Sequence, residues 1–272
     1  MYISYEHQLV QIGVPRTASA SACTALRQSD IVNPTDVFCS VPEHGNPELP
    51  HSRSALFDRH FSLFVKDLGL AGEKLFDYYA SSFASKEYGE AEVGKLVGLK
   101  LPDWVKKCIL LHHLTPTHLV RLGLLTEQQL TDFHTFGFVR DPLEKWVSAQ
   151  FLIRHLADVN LPVLENITAF IRNGKFRNKH PIVESKMKEY FFHEGVQVAT
   201  AYPYLDVESV VGDVIASKGG SRPDPFPRAG LLDVVPQEFR EPIETWMPED
   251  CVSALQEHYA DDIAFYNSVV SA

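Results

Sequence analysis

The stretch that most restricts the fold of this chain runs from Leu9 to Cys23 and reads LVQIGVPRTASASAC. Its apolar part, Leu9–Val14, predicts a buried β-strand, and the residues Ser19–Arg27 predict a helix. The turn between them holds an arginine and mostly very small side chains. A strand, a tight turn and a helix start together are typical of an anion-binding site, because the first amides of a helix have no intrahelical acceptor.

Two interpretations of this turn are open. In the first, Arg16 and the hydroxyl groups of Thr17, Ser19 and Ser21 add hydrogen-bond donors to the backbone amides around a bound anion. In the second, the small residues only allow the helix to pack closely on the sheet. The nucleoside triphosphate motif G-x-x-x-x-G-K-[ST] is absent from the chain, so the turn is not that P-loop.

Apolar runs followed by helix-start signals recur along the chain. Cys108–Leu111 and Thr135–Val139 are two further strand candidates. The pairs Thr115-Pro116 and Asp141-Pro142 come shortly after them, with a capping residue before a proline that opens a helix. Strands that alternate with helices predict an α/β fold, with a parallel sheet covered on both faces.

We predict a single domain over residues 1–272 with a helical, acidic C-terminal portion. The stretches Asn33–Ser54 and Ser217–Gly230 are rich in turn-forming residues and are predicted to be long loops. Ligands of such sheets bind where the carboxyl ends of parallel strands meet. Because Arg16, His113 and Arg140 each follow a predicted strand, we expect them at this edge.

Composition restricts the partners and the location. The formal net charge of −10 argues against a nucleic-acid partner. No stretch approaches the ~18–20 apolar residues of a membrane span, and no signal peptide is recognised. The four cysteines lie far apart with no C-x-x-C, so we expect no zinc site, no disulfide framework and a cytoplasmic location. The basic stretch Arg172–Tyr190 is either a solvated surface or a local anion-attracting patch.

The segment FVRDPLEKWVS, Phe138–Ser148, carries the most specific motif. It is similar to the F-V-R-[DN]-P-x-[DE]-R-x-x-S motif of the carbohydrate-modifying sulfotransferases that use 3′-phosphoadenosine 5′-phosphosulfate (PAPS). PRTASAS, Pro15–Ser21, resembles their first motif, P-K-T-[GA]-[GS]-T-S. LLHHLTPTHL and the closing EHYADDIAFYNSV resemble two further segments of bacterial and phage members, in the same order along the chain.

The resemblance implies a P-loop-type parallel sheet flanked by helices, and a sulfuryl transfer from PAPS to a small-molecule or glycan acceptor. It implies that the first motif holds the 5′-phosphosulfate and that the second holds the 3′-phosphate. The donor-binding residues carried over in this way are Arg16, Thr17, Ala18, Ser19, Ala20, Ser21, Arg140 and Ser148. Two of them depart from the family pattern: Arg16 stands in place of a lysine and Ala20 in place of a threonine.

The chemistry can also be argued from general principles. Sulfuryl transfer, like phosphoryl transfer, is an in-line displacement that depends on positioning and on stabilising the charge of the leaving oxygen. Because a sulfuryl group carries less negative charge than a terminal phosphoryl group, we expect no metal. We expect Arg16 to supply the charge, although its planar fork differs from a lysine ammonium. The acceptor hydroxyl needs a base. His113 is the candidate, because it follows a predicted strand, matches the family's histidine and has an ordinary pKa of about 6.5.

Other assignments remain open. His113 can instead be a loop histidine bonded to a backbone carbonyl, while His118 is expected at the surface and His134 at the opposite end of the sheet. Lys218 and Arg222 are candidates to close over the adenosine. A P-loop kinase or nucleotide hydrolase is disfavoured by the missing motif. A non-catalytic relative that binds the nucleotide or a partner protein stays possible because an arginine replaces the motif lysine.

Overall fold

A computed structural model describes residues 1–38, 113–156, 163–174, 185–227 and 235–272. Its strands are β1 (Tyr2–Ser4), β2 (Leu9–Gln11), β3 (Val37–Phe38), β4 (His134–Val139), β5 (Phe192–His193), β6 (Val196–Gln197) and β7 (Thr200–Pro203). Its α-helices are α1 (Ser19–Gln28), α2 (Pro116–Arg121), α3 (Glu127–Asp132), α4 (Pro142–Leu156), α5 (Val163–Arg172), α6 (Val207–Ser217), α7 (Glu249–His258) and α8 (Ala260–Val270). The predicted strand Cys108–Leu111 lies outside the described residues.

Five strands form one mixed sheet in the order β3-β1-β2-β4-β7. Strand β4 runs parallel to β2 on one side and to β7 on the other. Strand β1 is antiparallel to both β2 and β3, so four of the five strands point in one direction. The predicted α/β class is therefore confirmed, and the sheet, which was predicted to be parallel, is mostly parallel. The reversal of β1 was not predicted, and it arises because only a tight turn joins β1 to β2.

Helices cover both faces of the sheet, because the two faces carry different sets of buried side chains. On one face, Leu9 and Phe138 pack with apolar residues of α1 and α6. On the other face, Ile3 and Val10 pack with residues of α2, α3 and α8. A third cluster joins α4, α5 and α7 around Trp146, whose side chain is 1% exposed. The predicted helical C-terminal portion is thus observed.

Local signals at the helix starts are confirmed. The Thr115 hydroxyl accepts the amide of His118 at 3.3 Å, and Pro116 opens α2. Asp141 accepts the amides of Leu143 and Glu144 at 2.9 and 3.0 Å at the start of α4. The prediction of a surface His118 is wrong. Its side chain is buried because its Nδ1 atom accepts the Thr115 amide and completes a capping box.

The two predicted loops fare differently. Inside the predicted loop Asn33–Ser54, the residues Val37–Phe38 form strand β3, because they pair with β1. The loop prediction is therefore wrong at these two residues. Residues 39–54 lie outside the described part of the chain. In the second stretch, Ser217 still belongs to α6, and residues 218–227 contain no helix or strand. The amide of Ser221 donates to the Asp30 carboxylate at 2.7 Å. This hydrogen bond holds the loop next to the end of α1.

Candidate anion-binding site at the carboxyl edge of the sheet

Three neighbouring parallel strands end at one edge of the sheet and are followed by chemically active side chains. Arg16 lies in the turn after β2, Arg140 directly follows β4, and Tyr204 directly follows β7. His113 reaches the same edge, because its ring contacts the carbonyl of Gly13 just beyond β2. The expectation that Arg16, His113 and Arg140 lie at the carboxyl edge agrees with this arrangement.

The turn between β2 and α1 has an alternating backbone. Arg16 and Ala18 take the left-handed conformation, with φ of 63° and 58°. Positive φ is uncommon for residues other than glycine, so it marks a turn held in place by its surroundings. Successive amides in such a turn form a concave set of donors that suits an anion.

The hydroxyl groups of this turn have a role that differs from the expected one. Thr17 and Ser19 both donate to the carbonyl of Val14, at 3.1 and 2.8 Å. Both side chains are buried. Their hydroxyl protons are therefore used in hydrogen bonds within the turn. The prediction that these two hydroxyls add donors for an anion does not hold in this structure.

Backbone amides remain as the donors of the turn. Ala22 bonds to the Ala18 carbonyl at 3.1 Å and is the first amide of the helix to close a regular turn. The amides of Ser19 and Ala20 precede it and have no intrahelical acceptor by helix geometry. Ala18, at the N-cap, makes no side-chain capping bond. The start of this 10-residue helix thus carries partial positive charge toward the edge where the arginines lie.

A direct hydrogen bond joins the two motifs. The Arg16 Nε atom donates to the Ser148 Oγ atom at 2.9 Å across 132 residues of sequence. Ser148 is 2% exposed, while Arg16 is half-buried. Burial and, to a smaller extent, the nearby positive charge of Arg140 together lower the pKa of Arg16 to about 10. The guanidinium groups of Arg16 and Arg140 are thus close enough to repel each other, and an anion bound between them would reduce that repulsion.

Arg140 is held in place from two sides. Its Nε atom pairs with Glu144 at 3.1 Å, one helical turn further on. Its guanidinium also lies over the Tyr204 ring, 4.8 Å from the ring centre. The Arg140 side chain is 24% exposed. Because Glu144 is paired with Arg140, it competes with any anion that binds Arg140.

His113 has a defined tautomer. Its Nδ1 atom lies 2.5 Å from the Gly13 carbonyl, which can only accept, so Nδ1 carries the proton and Nε2 the lone pair. Burial lowers the pKa of His113 to about 3, and the charges of Lys145 and Arg16 act in the same direction. The expectation of a near-neutral pKa is therefore wrong for the ligand-free site, because the ring is desolvated beside cations.

Lys145 is a residue that the sequence reasoning missed. It lies on α4 one turn before Ser148, is 3% exposed, and donates from Nζ to the Ser185 carbonyl at 2.8 Å. Burial lowers its pKa to about 8, although the Asp262 carboxylate opposes that shift. The available signal was its place in FVRDPLEKWVS, where the family motif has an arginine three residues before the serine.

Two of the remaining candidates, His134 and Lys218, lie at the opposite edge of the sheet. His134 is the first residue of β4 and so lies at the opposite, amino end of that strand, as expected. Arg222 pairs with Glu208 of α6 at 3.2 Å. Lys218 is the C-cap of α6 and lies close enough to His134 to lower the pKa of that histidine, after the larger effect of burial.

The low pKa of His113 predicts a pH-dependent stability. The unfolded chain binds a proton at about pH 6.5 that the folded chain takes up only near 3. The contribution of a neutral His113 is thus complete above pH 6.5 and is lost as the pH falls below it. Denaturant titrations between about pH 7 and 5 should show a smaller free energy of unfolding at the acid end. His113→Gln, which does not titrate, should reduce that slope; an unchanged slope would contradict the assignment.

The fold and these groups define an α/β protein with a candidate anion-binding site at the carboxyl edge of its sheet. Within the described ranges, no group of three or more His, Cys, Asp or Glu side chains is arranged to hold a metal ion. None of the described helices combines the length and apolar character needed to cross a bilayer. Comparison of the chain with protein-family models, with curated proteins and with solved structures found no match.

Proposed function

We propose that this protein is a sulfotransferase that moves a sulfuryl group from PAPS to a hydroxyl of a sugar or other small metabolite. The observation that carries the proposal is the hydrogen bond between Arg16 and Ser148. Each of these residues belongs to one of the two motifs that resemble PAPS-binding motifs. Their contact, beside Arg140 and the start of α1, is the arrangement that a donor with two anionic ends requires.

The charge distribution supports the same ligand. PAPS carries a phosphosulfate at its 5′ end and a phosphate at its 3′ end. Arg16 and the amides of the turn suit the first group, while Arg140 and Ser148 suit the second. The pKa of Arg16 is lowered chiefly by burial and secondly by the charge of Arg140, and an anion at either place would oppose both effects.

The proposed reaction is an in-line displacement at sulfur. The acceptor oxygen forms a bond to sulfur, and the bond from sulfur to the bridging oxygen breaks. The bridging oxygen leaves with the electron pair on adenosine 3′,5′-bisphosphate, where the charge of Arg16 stabilises it. The acceptor proton moves to the Nε2 atom of His113, whose Nδ1–H bond to Gly13 fixes the ring orientation.

Two measurements test this function directly. Thermal-shift assays should show stabilisation by adenosine 3′,5′-bisphosphate and little effect of ATP with magnesium. Transfer of radiolabelled sulfate from PAPS to a panel of glycans and small alcohols should then detect the reaction. Stabilisation by ATP with magnesium alone would favour a phosphotransferase, and bisphosphate binding without any transfer would favour a non-catalytic relative.

Arg140→Ala should weaken the binding of adenosine 3′,5′-bisphosphate by about 10–100-fold, because charge-assisted hydrogen bonds to phosphate are among the stronger ones. Adenosine 5′-phosphate has no 3′ group, so its affinity should hardly change. Isothermal titration calorimetry of both nucleotides measures the difference. Equal losses for the two nucleotides would refute the assignment of Arg140 to the 3′-phosphate.

Two variants control this experiment. Glu144→Gln removes the carboxylate that pairs with Arg140, so it should strengthen bisphosphate binding. Arg172→Ala removes a comparable positive charge from an exposed pair with Asp250 on α7. This change should leave both affinities nearly unchanged, because exposed ion pairs act weakly at a distance.

A further inference from the structure

A cavity of about 490 Å³ lies between α2, the turn at residues 187–190, the β5–β6 hairpin and the start of α8, and its lining surface is mostly apolar. This volume is in the range of small-molecule pockets. Its lining includes Thr115 and Thr117 from α2 and the segment before it, and Phe192 and Gly195 from the hairpin. None of the residues assigned to the donor lines it.

The cavity is linked to the catalytic side of the site through Thr115 in sequence and through Asp262 by its charge. Thr115 on its lining comes two residues after His113. Asp262, also on the lining, attracts the buried ammonium of Lys145, and the charge of Lys145 in turn reaches His113. Two residues of chain span at most about 7 Å, so the part of the cavity at Thr115 is close to the histidine proposed as the base.

The charged groups of the cavity balance one another. The basic lining residues are Arg121, Lys186 and Lys188, and the acidic ones are Glu189, Asp261 and Asp262. His118 adds no charge, since its Nδ1 atom accepts the Thr115 amide. Lys186 and Lys188, two basic residues of the stretch Arg172–Tyr190, thus line a cavity in which acidic and basic side chains are equal in number.

Several of these groups already have partners that fix them. The two oxygens of Asp262 accept the amides of Met187 and Lys188, at 2.8 and 3.1 Å. Lys186 pairs loosely with Asp261 at 3.9 Å. The Lys188 ammonium lies 5.2 Å from the centre of the Phe192 ring. The aromatic ring of Phe192 therefore lies among charged groups of both signs, and the charges of the lining sum to zero.

We propose that this cavity binds the acceptor and that the acceptor is an uncharged polyhydroxylated molecule. This inference rests on the proposed function. Each hydroxyl both donates and accepts a hydrogen bond, so a polyol can use ammonium and carboxylate groups together. An anionic ligand would meet the three carboxylates and a cationic ligand the three basic groups, each at a cost in affinity.

The test uses the full chain with adenosine 3′,5′-bisphosphate present and matched pairs of disaccharides. Cellobiose is compared with cellobiouronic acid, and N,N′-diacetylchitobiose with its deacetylated, cationic form. Saturation-transfer NMR and calorimetry should show binding of the neutral member of each pair and roughly tenfold weaker binding of the charged member. Equal or tighter binding of a charged member would overturn the proposal.

Glu189→Gln localises the bound sugar. Glu189 is exposed, so the change should not disturb folding, and it makes the lining net positive. We expect roughly fivefold weaker binding of the neutral disaccharides and stronger binding of the uronic acid. Glu257→Gln, an exposed change on α7, is the matched control and should alter neither. Equal effects of the two variants would place the sugar elsewhere and overturn the proposal.

The outcome also separates this inference from the proposed function. If the bisphosphate binds and no neutral disaccharide does, the cavity is not the acceptor site, and the donor assignment stands. If the bisphosphate itself fails to bind, the proposed function fails, and the acceptor assignment fails with it.

Discussion

Replacement of His113 by alanine should lower turnover by about 10²–10⁴-fold, the usual contribution of a general base. The affinity for adenosine 3′,5′-bisphosphate should hardly change, because the neutral ring is bonded to the Gly13 carbonyl and supplies no charge to the bound phosphates. Steady-state kinetics with saturating donor and calorimetry with the bisphosphate measure the two effects separately.

His134→Ala is the matched control for this variant. His134 begins β4 and lies at the opposite end of that strand, so its removal should leave turnover almost unchanged. A mild effect of His113→Ala, or a comparable loss in both variants, would exclude His113 as the base. In that event, a carboxylate from the stretch Asn33–Ser54 becomes the better candidate.

The acid limb of the pH profile provides a second readout for His113. In the free protein the lowered pKa keeps the ring neutral well below pH 6.5. Bound donor brings negative charge near the ring and favours the imidazolium, so the pKa should rise in the complex. We therefore expect kcat to fall at a higher pH than kcat/KM as the solution is acidified. Coincident acid limbs would contradict this coupling.

Arg16→Ala should lower kcat by about 10²–10³-fold, which is typical for removal of one group that stabilises a developing oxyanion. The donor affinity should fall less, because the charge on the leaving oxygen is greatest in the transition state. Arg16→Lys should retain activity or raise it, since it restores the lysine of the related motif. Pre-steady-state kinetics with PAPS and calorimetry with the bisphosphate separate the two contributions.

Ser148→Ala controls for the loss of the hydrogen bond alone. It removes the acceptor of the Arg16 Nε–H and leaves the guanidinium charge in place. We expect weaker bisphosphate binding and a smaller loss of kcat than in Arg16→Ala. A well-folded but inactive Arg16→Lys protein would show that the planar fork, and not the charge, is required.

The sequence by itself determined the local elements around the site. Helix α1 begins at Ser19 and Asp141 caps α4, both as predicted, while the predicted strand Leu9–Val14 is observed only over Leu9–Gln11. These features depend on side-chain periodicity and on capping bonds between residues at most four positions apart, so a short stretch of chain contains the information. The assignments of Arg16, Arg140, Ser148 and His113 to the donor and the base stay predictions.

Only the tertiary structure decided how these elements meet. The reversal of β1, the contact between Arg16 and Ser148, and the burial of Lys145 opposite Asp262 all join residues distant in sequence. The lowered pKa of His113 also depends on the tertiary structure, because desolvation and neighbouring charges determine it. Burial depends on what packs against a group from every side, and a linear sequence of residues does not specify those neighbours.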